Sequence, residues 1–137
     1  MNSDPEIIRG KLAIIRERLR FLEDEEHDLS VLKDQQAVKH SLQETIEACL
    51  DIANHVISAE GFGRPDDYAA YFPCLARHDL LSKSLAEKLS GMAKFRNVLV
   101  HLYDDVDVDT VQTIVNEDLD DIRAFAEAIY AYLDASE

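Results

Sequence analysis

Four polar residues that can carry chemistry lie within the span 96–103, near the end of a predicted helix. They are Arg96, Asn97, His101 and Tyr103. Histidine exchanges protons near neutral pH, and the permanently charged, planar group of arginine matches the oxygens of a phosphate. The residue types therefore suit proton transfer beside an anionic group. An arginine and a histidine at this spacing also fit a helix end whose polar residues simply face water.

Helical geometry predicts which of these side chains share a face. A helix turns by about 100° per residue, so Tyr103 lies about 20° from Arg96, Asn97 about 100° and His101 about 140°. Asn97 and His101 are also neighbours one helical turn apart. The four polar side chains are thus expected on the side of the helix that faces outward. The opposite arc holds three apolar residues that are expected to pack inward: Val98, Leu99 and Leu102.

The rest of the chain is also predicted to be helical. Apolar residues recur at helical spacing over 8–22, 38–56, 81–99 and 111–133. Asp4 and Pro5 suit the start of the first helix, and Gly61 the end of the second. Most glycines and prolines fall between 61 and 73, which marks one long connection. We predict an all-α, antiparallel up-and-down bundle of four long helices with a short helix near 66–78, forming one domain over 1–137.

Composition limits the class of protein. Of the 137 residues 47% are hydrophobic, so the chain should fold. No apolar run reaches the length of about 20 residues that a membrane span needs, so no membrane association is expected. The N-terminus lacks the layout of a signal peptide. Two cysteines, Cys49 and Cys74, do not make a disulfide framework, and Cys49 is expected in the core. A reduced, cytoplasmic protein is the expectation.

The net charge of −14 argues, taken alone, against binding a polyanion. The acidity is uneven, because residues 1–40 and 41–96 each carry −2 and residues 97–137 carry −10. The acidic end is either a solvated face or a sign of adaptation to high salt. Basic residues in the first helix, with Lys94 and Arg96, leave room for a locally basic cleft. Binding of a polyanion there should be local and sensitive to salt.

Metal and cofactor motifs are not apparent in the sequence. The five histidines are dispersed, and there is no Cys-x-x-Cys pair, so no metal site is expected. The segment 61–63 is too short for a phosphate-binding glycine loop and precedes Arg64-Pro65 rather than a helix. No cofactor is therefore expected.

The segment 96–103, Arg-Asn-Val-Leu-Val-His-Leu-Tyr, resembles the Arg-x4-His-x-Tyr signature of HepT-type toxins. These belong to the HEPN superfamily of all-helical ribonucleases. The resemblance continues in segments 50–55, 64–68, 92–95 and 106–111, and runs in the family's order from about 38 to 130. The strongly acidic C-terminal part departs from the family's pattern, and its negative charge would affect how RNA approaches the site.

The resemblance implies a metal-independent endoribonuclease that leaves a 2′,3′-cyclic phosphate. Arg96 and His101 would be catalytic, the first stabilising charge on the phosphate and the second transferring a proton. Asn97 would orient the site, and Tyr103 would contact the substrate. Asp51 is a candidate for holding Arg96, with a surface or capping role as the alternative. The family also implies a homodimer whose two motifs share a cleft, and an RNA substrate, either tRNA or mRNA.

The resemblance further implies a protein partner. HepT-type toxins pair with an MntA-type nucleotidyltransferase antitoxin that adds adenylyl groups to the motif tyrosine, here Tyr103. The chain would then be the toxin of a type VII-like toxin–antitoxin system. An alternative is a non-catalytic helical subunit that binds a minimal nucleotidyltransferase, with Arg96 and His101 serving the interface. Tyr103 could equally be an amphipathic residue that ends a helix.

Overall fold

Helices form all the regular secondary structure of the described residues, which are 4–24, 26–101 and 108–136 of this computed structural model. The all-α prediction is therefore confirmed. A 3₁₀ helix, Tyr68–Ala70, leads directly into the short helix expected near 66–78, which is α3. Within these ranges the α-helices are α1 Asp4–Asp24, α2 Leu32–Glu60, α3 Tyr71–Arg77, α4 Lys83–His101, α5 Val108–Glu117 and α6 Leu119–Ser136.

The four long helices are α1, α2, α4 and α6, but the predicted fourth helix is divided near its start. The amide of Asp118 donates to the carbonyl of Ile114 at 2.9 Å, and Asp121 donates back to the carbonyl of Asp118 at 3.1 Å. Aspartate is poor inside a helix and favourable in a first turn. Asp120 and Asp121 occupy the first turn of α6. The continuous apolar pattern did not reveal this break.

Helix α2 ends where its sequence predicts. Gly61 has a φ of 68°, a left-handed conformation that glycine adopts without strain. Its amide and that of Phe62 donate to the carbonyls of Ser58 and Ile57, which closes the helix end. The helix starts at Leu32, earlier than the apolar pattern indicates. Leu32 is 65% exposed, so burial periodicity does not mark this first turn.

The core lies between α1, α2, α4 and α6, and the predicted apolar stripes line it. All five stripe residues of α1 are buried against α2 and α6. Phe72 of α3 and Phe125 of α6 meet edge to face with ring centroids 5.5 Å apart. Cys49 is buried, as expected, and burial raises the pKa of its thiol to about 12. The stripe of α1 comprises Ile8, Leu12, Ile15, Leu19 and Leu22.

The long connection after Gly61 is fastened to α4. The hydroxyl of Ser90 donates to the carbonyl of Ala69 at 2.5 Å, and the Asp67 carboxylate accepts from the amide of Ala70 at 3.1 Å. The first bond holds the 3₁₀ helix, and with it Tyr68, against the helix that carries Arg96, and the second closes the start of the 3₁₀ helix. In the described part of the chain, no helix is long and apolar enough to cross a membrane.

Candidate functional site

Arg96 is held in a defined orientation between α4 and α2. Its Nε and Nη2 donate to Oε2 of Glu47 at 3.1 and 2.6 Å, and its Nη1 donates to Oδ1 of Asn97 at 3.2 Å. The Arg96 side chain is 22% exposed. A guanidinium has five N–H groups. Three of them bond to described residues, and within the described part of the chain the other two have no hydrogen-bond acceptor.

Tyr68 lies beside this arginine. The guanidinium carbon of Arg96 is 5.8 Å from the centroid of the Tyr68 ring, a cation–π arrangement. The ring also meets Tyr71 edge to face with centroids 5.5 Å apart. The hydroxyl of Tyr71 accepts from Nε of Arg64 at 3.2 Å. The connection after α2 therefore places an aromatic ring and a second arginine next to the motif.

Two open grooves meet at Tyr68. The smaller groove has a volume of about 300 Å³ and is lined by Glu47, Leu50, Asp51, Tyr68 and Arg96. The larger has a volume of about 540 Å³ and runs from the connection after α2 to the exposed side of α4. The larger groove includes Arg64, Asp66, Asp67, Tyr68, Lys94 and Asn97 in its lining. The motif helix thus borders a surface wide enough for an extended, charged ligand.

The predicted motif is only partly within the described residues. Arg96 and Asn97 are brought together by a hydrogen bond, and Asn97 is exposed as predicted. His101 is the last residue of α4, one turn beyond Asn97, while its side chain lies outside the described part. Tyr103 and Leu102 also lie outside the described residues. The proposed catalytic roles of Arg96 and His101 therefore stay predictions.

One of the inward-facing predictions is wrong. Leu99 is fully buried, as its position on the helical wheel indicates, but Val98 is 38% exposed. A wheel gives the direction of a side chain from its own helix, whereas burial depends on how far the neighbouring helices extend. Val98 consequently adds an apolar side chain to the exposed surface beside Asn97.

Asp51 does not hold Arg96 in this structure. Its carboxylate forms an ion pair with Nζ of Lys11 at 3.2 Å, and Glu47, one turn earlier on α2, binds the arginine instead. Asp51 still lines the smaller groove. Glu47 was not predicted, because the two carboxylates share one helical face and the sequence contains no information on the register between α2 and α4.

The described side chains at this surface include groups that can bind an anion. Arg96 offers a fixed cation, Asn97 an exposed amide, and the helix ends at a histidine. Among the described residues, no three histidine, cysteine, aspartate or glutamate side chains come together in a way that could hold a metal ion. An arginine held in a defined orientation is suited to bind and stabilise a phosphate.

The described residues form an all-helical fold whose exposed surface carries an oriented arginine. The sequence profile of the family described as "Ribonuclease HepT-like" matches residues 8–129. The chain belongs to this family, and the resemblance seen in residues 96–103 and their flanks is confirmed.

Individual relatives are similar over nearly their whole length. A protein of Shewanella oneidensis named "mRNA nuclease HepT" is 32% identical over 130 residues, covering 92% of this chain and 98% of the relative. A protein of Aphanizomenon flos-aquae named "tRNA nuclease HepT" is 28% identical over 137 residues, covering 96% and 93%. A solved structure of the tri-AMPylated Shewanella oneidensis HEPN toxin in complex with the MNT antitoxin superposes with a TM-score of 0.83, at 31% identity, covering 96% of this chain and 99% of that one.

Proposed function

We propose that this protein is a metal-independent endoribonuclease and the toxin of a toxin–antitoxin pair. The observation that carries the proposal is the oriented guanidinium of Arg96, held by Glu47 and Asn97 on the helix that ends at His101. Membership of the ribonuclease HepT-like family supports the same chemistry. The two relatives are named as nucleases of different RNA classes, so the class of substrate proposed here is RNA.

The proposed reaction is attack of a ribose 2′-hydroxyl on the adjacent phosphate. The 2′-oxygen forms a bond to phosphorus as the bond to the 5′-oxygen breaks, leaving a 2′,3′-cyclic phosphate and a 5′-hydroxyl end. A base must take the proton of the 2′-hydroxyl, and an acid must supply one to the departing oxygen. His101 is proposed for proton transfer because histidine titrates near neutral pH. Arg96 would stabilise the extra negative charge on the phosphate oxygens.

A homodimer would complete this site. The reaction needs both a proton acceptor and a proton donor, and one motif supplies a single histidine. Two copies related by a two-fold axis would place two histidines in one cleft. Val98 supports this arrangement, since it is an exposed apolar residue on the same helix and beside Asn97. The membership of the family and the position of Val98 together suggest α4 as the dimer contact.

Control by a nucleotidyltransferase antitoxin is the remaining part of the proposal. The Shewanella relative is described as AMPylated and bound to its antitoxin. For this chain we propose the same kind of partner, which would attach adenylyl groups to Tyr103. A phosphate-bearing group two residues from His101 would repel and obstruct the phosphate of RNA. This is an electrostatic and steric block of the same site.

The direct test is cleavage of mRNA and of tRNA by the purified protein in EDTA. Wild type should cleave at least one of the two, and the 5′ fragment should carry the mass of a cyclic phosphate. His101→Ala should slow cleavage by about 100-fold or more, since it removes the proton-transfer group. Wild-type cleavage that requires an added metal ion would contradict the proposal.

A matched control is His40→Ala. His40 is an exposed histidine of α2 that lies 3.5 Å from Glu44 and outside both grooves. Its replacement should leave cleavage within about twofold of wild type, because it takes no part in the reaction. Equal losses in the two variants would show that the His101 effect is not catalytic. Unchanged cleavage in His101→Ala would contradict the assignment of the site.

A further inference from the structure

The larger groove beside Arg96 has the dimensions of a nucleotide-binding site. Its volume of about 540 Å³ falls within the range of about 300–1,000 Å³ that small-molecule sites occupy. Tyr68 and Asn97 both line it and both contact Arg96. A ligand in this groove would therefore touch two side chains that contact Arg96, the residue proposed to bind the scissile phosphate.

The lining of the groove is mixed in charge. Arg64 and Lys94 are exposed cations, while Asp66 and Asp67 are exposed carboxylates. A free inorganic anion would meet nearly balanced charges here, so the groove does not resemble a simple phosphate site. A nucleotide presents an anionic phosphate at one end and a base with N–H donors at the other. Cations and carboxylates at different points of one groove match both ends of such a ligand.

Tyr68 offers a prepared aromatic surface. Its side chain is 48% exposed, and it is fixed by the Arg96 guanidinium, by the edge contact with Tyr71, and by the bond that ties the 3₁₀ helix to Ser90. A ring already held in place loses little conformational entropy when a ligand binds. Exposed aromatic side chains of this kind stack on the bases of single-stranded RNA.

We propose that this groove binds the nucleotide next to the cleaved bond, with its base stacked on Tyr68 and its flanking phosphate near Lys94. The proposal rests on the ribonuclease activity proposed above. It adds Tyr68, which lies outside the motif in the connection after α2, as a residue that contacts the substrate. Cleavage should consequently depend on a base at one position beside the scissile phosphate.

The test uses DNA strands that contain a single ribonucleotide, so that only one bond has the required 2′-hydroxyl. Single bases are then deleted, one at a time, at the positions on each side of that bond. The kcat/KM of cleavage is measured for wild type, Tyr68→Leu and Tyr68→Phe. Tyr130→Leu is the matched control, since Tyr130 is a comparably exposed tyrosine, at 38%, on α6 and outside this groove.

At one position, we expect the effects of base deletion and of Tyr68→Leu on kcat/KM not to combine. Deleting the base that occupies the groove should lower wild-type kcat/KM by about tenfold, the scale of one base stacked on an aromatic ring. Tyr68→Leu should lose about as much on the intact strand, and should lose little more when that base is absent. Tyr68→Phe should recover most of the loss seen in Tyr68→Leu, because stacking needs only the ring. Tyr130→Leu should remain within about threefold of wild type on every strand.

Three results would overturn the proposal. In the first, Tyr68→Leu and base deletion lower kcat/KM by factors that multiply at every position. That would mean that Tyr68 acts only through Arg96. In the second, Tyr68→Leu has the same kcat/KM as wild type, and in the third, Tyr130→Leu is as impaired as Tyr68→Leu. Either result would mean that the groove does not bind the substrate.

Lys94 is tested separately by binding of a non-cleavable 2′-O-methyl strand at several salt concentrations. Lys94→Gln should flatten the dependence of log Kd on log salt by about 0.7, the value for one phosphate contact in a single strand. The matched control, Lys83→Gln, changes an exposed lysine at the start of the same helix. An equal slope for Lys94→Gln and wild type would contradict the phosphate contact.

Cleavage and binding of the 2′-O-methyl strand, both measured for wild type and Tyr68→Leu, separate the two proposals. Cleavage that does not depend on Tyr68 contradicts the groove and leaves the ribonuclease proposal intact. Tyr68-dependent binding by a protein that cleaves no RNA contradicts the ribonuclease proposal and leaves the groove intact.

Discussion

Glu47 of α2 binds the guanidinium of Arg96 in α4 with a single carboxylate oxygen, which accepts from Nε at 3.1 Å and from Nη2 at 2.6 Å. A second arginine is held in a similar way one turn earlier on α2, where Glu44 accepts from Nε of Arg18 in α1 at 2.8 Å. The Glu44–Arg18 pair lies away from both grooves next to the motif. Two glutamates of α2 therefore each bind the Nε of an arginine, and they differ in whether that arginine lies at the proposed site.

Glu47→Gln should lower the kcat of RNA cleavage by about tenfold, with a smaller change in KM. The variant loses charge-assisted hydrogen bonds that orient Arg96 toward the charge of the transition state. Glu47→Asp, which keeps the charge on a shorter side chain, should recover part of the loss. The rate of single-turnover cleavage, measured over a range of protein concentrations, gives both the limiting rate and the half-saturating concentration for this comparison.

Glu44→Gln is the matched control for this prediction. Because both pairs are partly exposed, each substitution should cost at most about 1 kcal/mol of folding free energy. Only Glu47→Gln should change kcat. A similar fall in kcat for both variants would mean that the loss reflects stability, and Arg96 would then need no positioning by Glu47.

Val98→Glu should convert the proposed homodimer to a monomer and abolish cleavage. Val98 is 38% exposed beside Asn97, and a carboxylate there would be buried without a partner at an apolar contact. Light scattering after size exclusion reports the mass. Val31→Glu is the control, since Val31 is a 45% exposed valine just before α2. A dimer that survives Val98→Glu would place the contact elsewhere.

Tyr103→Phe should not gain adenylyl mass when the protein is incubated with ATP and its nucleotidyltransferase partner. The phenol oxygen is the proposed nucleophile, and phenylalanine has none. Intact-mass spectrometry should show added adenylyl groups on wild type and on Tyr130→Phe. Cleavage by the modified wild type should be strongly reduced. Addition of the same mass to Tyr103→Phe would contradict this assignment.

Asp118→Asn should stabilise the fold at neutral pH. Burial raises the pKa of Asp118, and the charges of Asp121 and Glu117 raise it further, while Lys88 of α4 acts in the opposite direction. A carboxyl whose pKa is raised by folding costs stability wherever the unfolded chain would ionise it. The cost is therefore present at neutral pH and disappears below about pH 4.

Thermal unfolding followed by circular dichroism tests the direction of this change in stability. At pH 7 the Tm of Asp118→Asn should exceed that of wild type, and the two should converge near pH 3. Asparagine also serves well before a helix, so the local backbone is preserved. Asp134→Asn, at an exposed position of α6, should show no such gain. An equal gain at pH 7 and pH 3 would exclude ionisation as the cause.

Features that depend on short stretches of chain could be predicted from the sequence. The apolar stripe of α1 is buried in full, because a period of 3.6 residues places all five side chains on one face. The end of α2 follows from the freedom of Gly61 to adopt a positive φ. The neighbours Arg96 and Asn97 form one polar group because they are adjacent on one helix.

Features that depend on the packing of one helix against another were decided by the tertiary structure. The choice of Glu47 over Asp51 as the partner of Arg96 depends on the axial register of α2 and α4. The exposure of Val98 depends on how far the neighbouring helices cover α4. Sequence periodicity specifies which face of a helix is apolar, and it contains no information on how that helix is shifted along its neighbour. The sequence therefore determined the helices and the motif, while packing alone decided which carboxylate and which aromatic ring lie next to it.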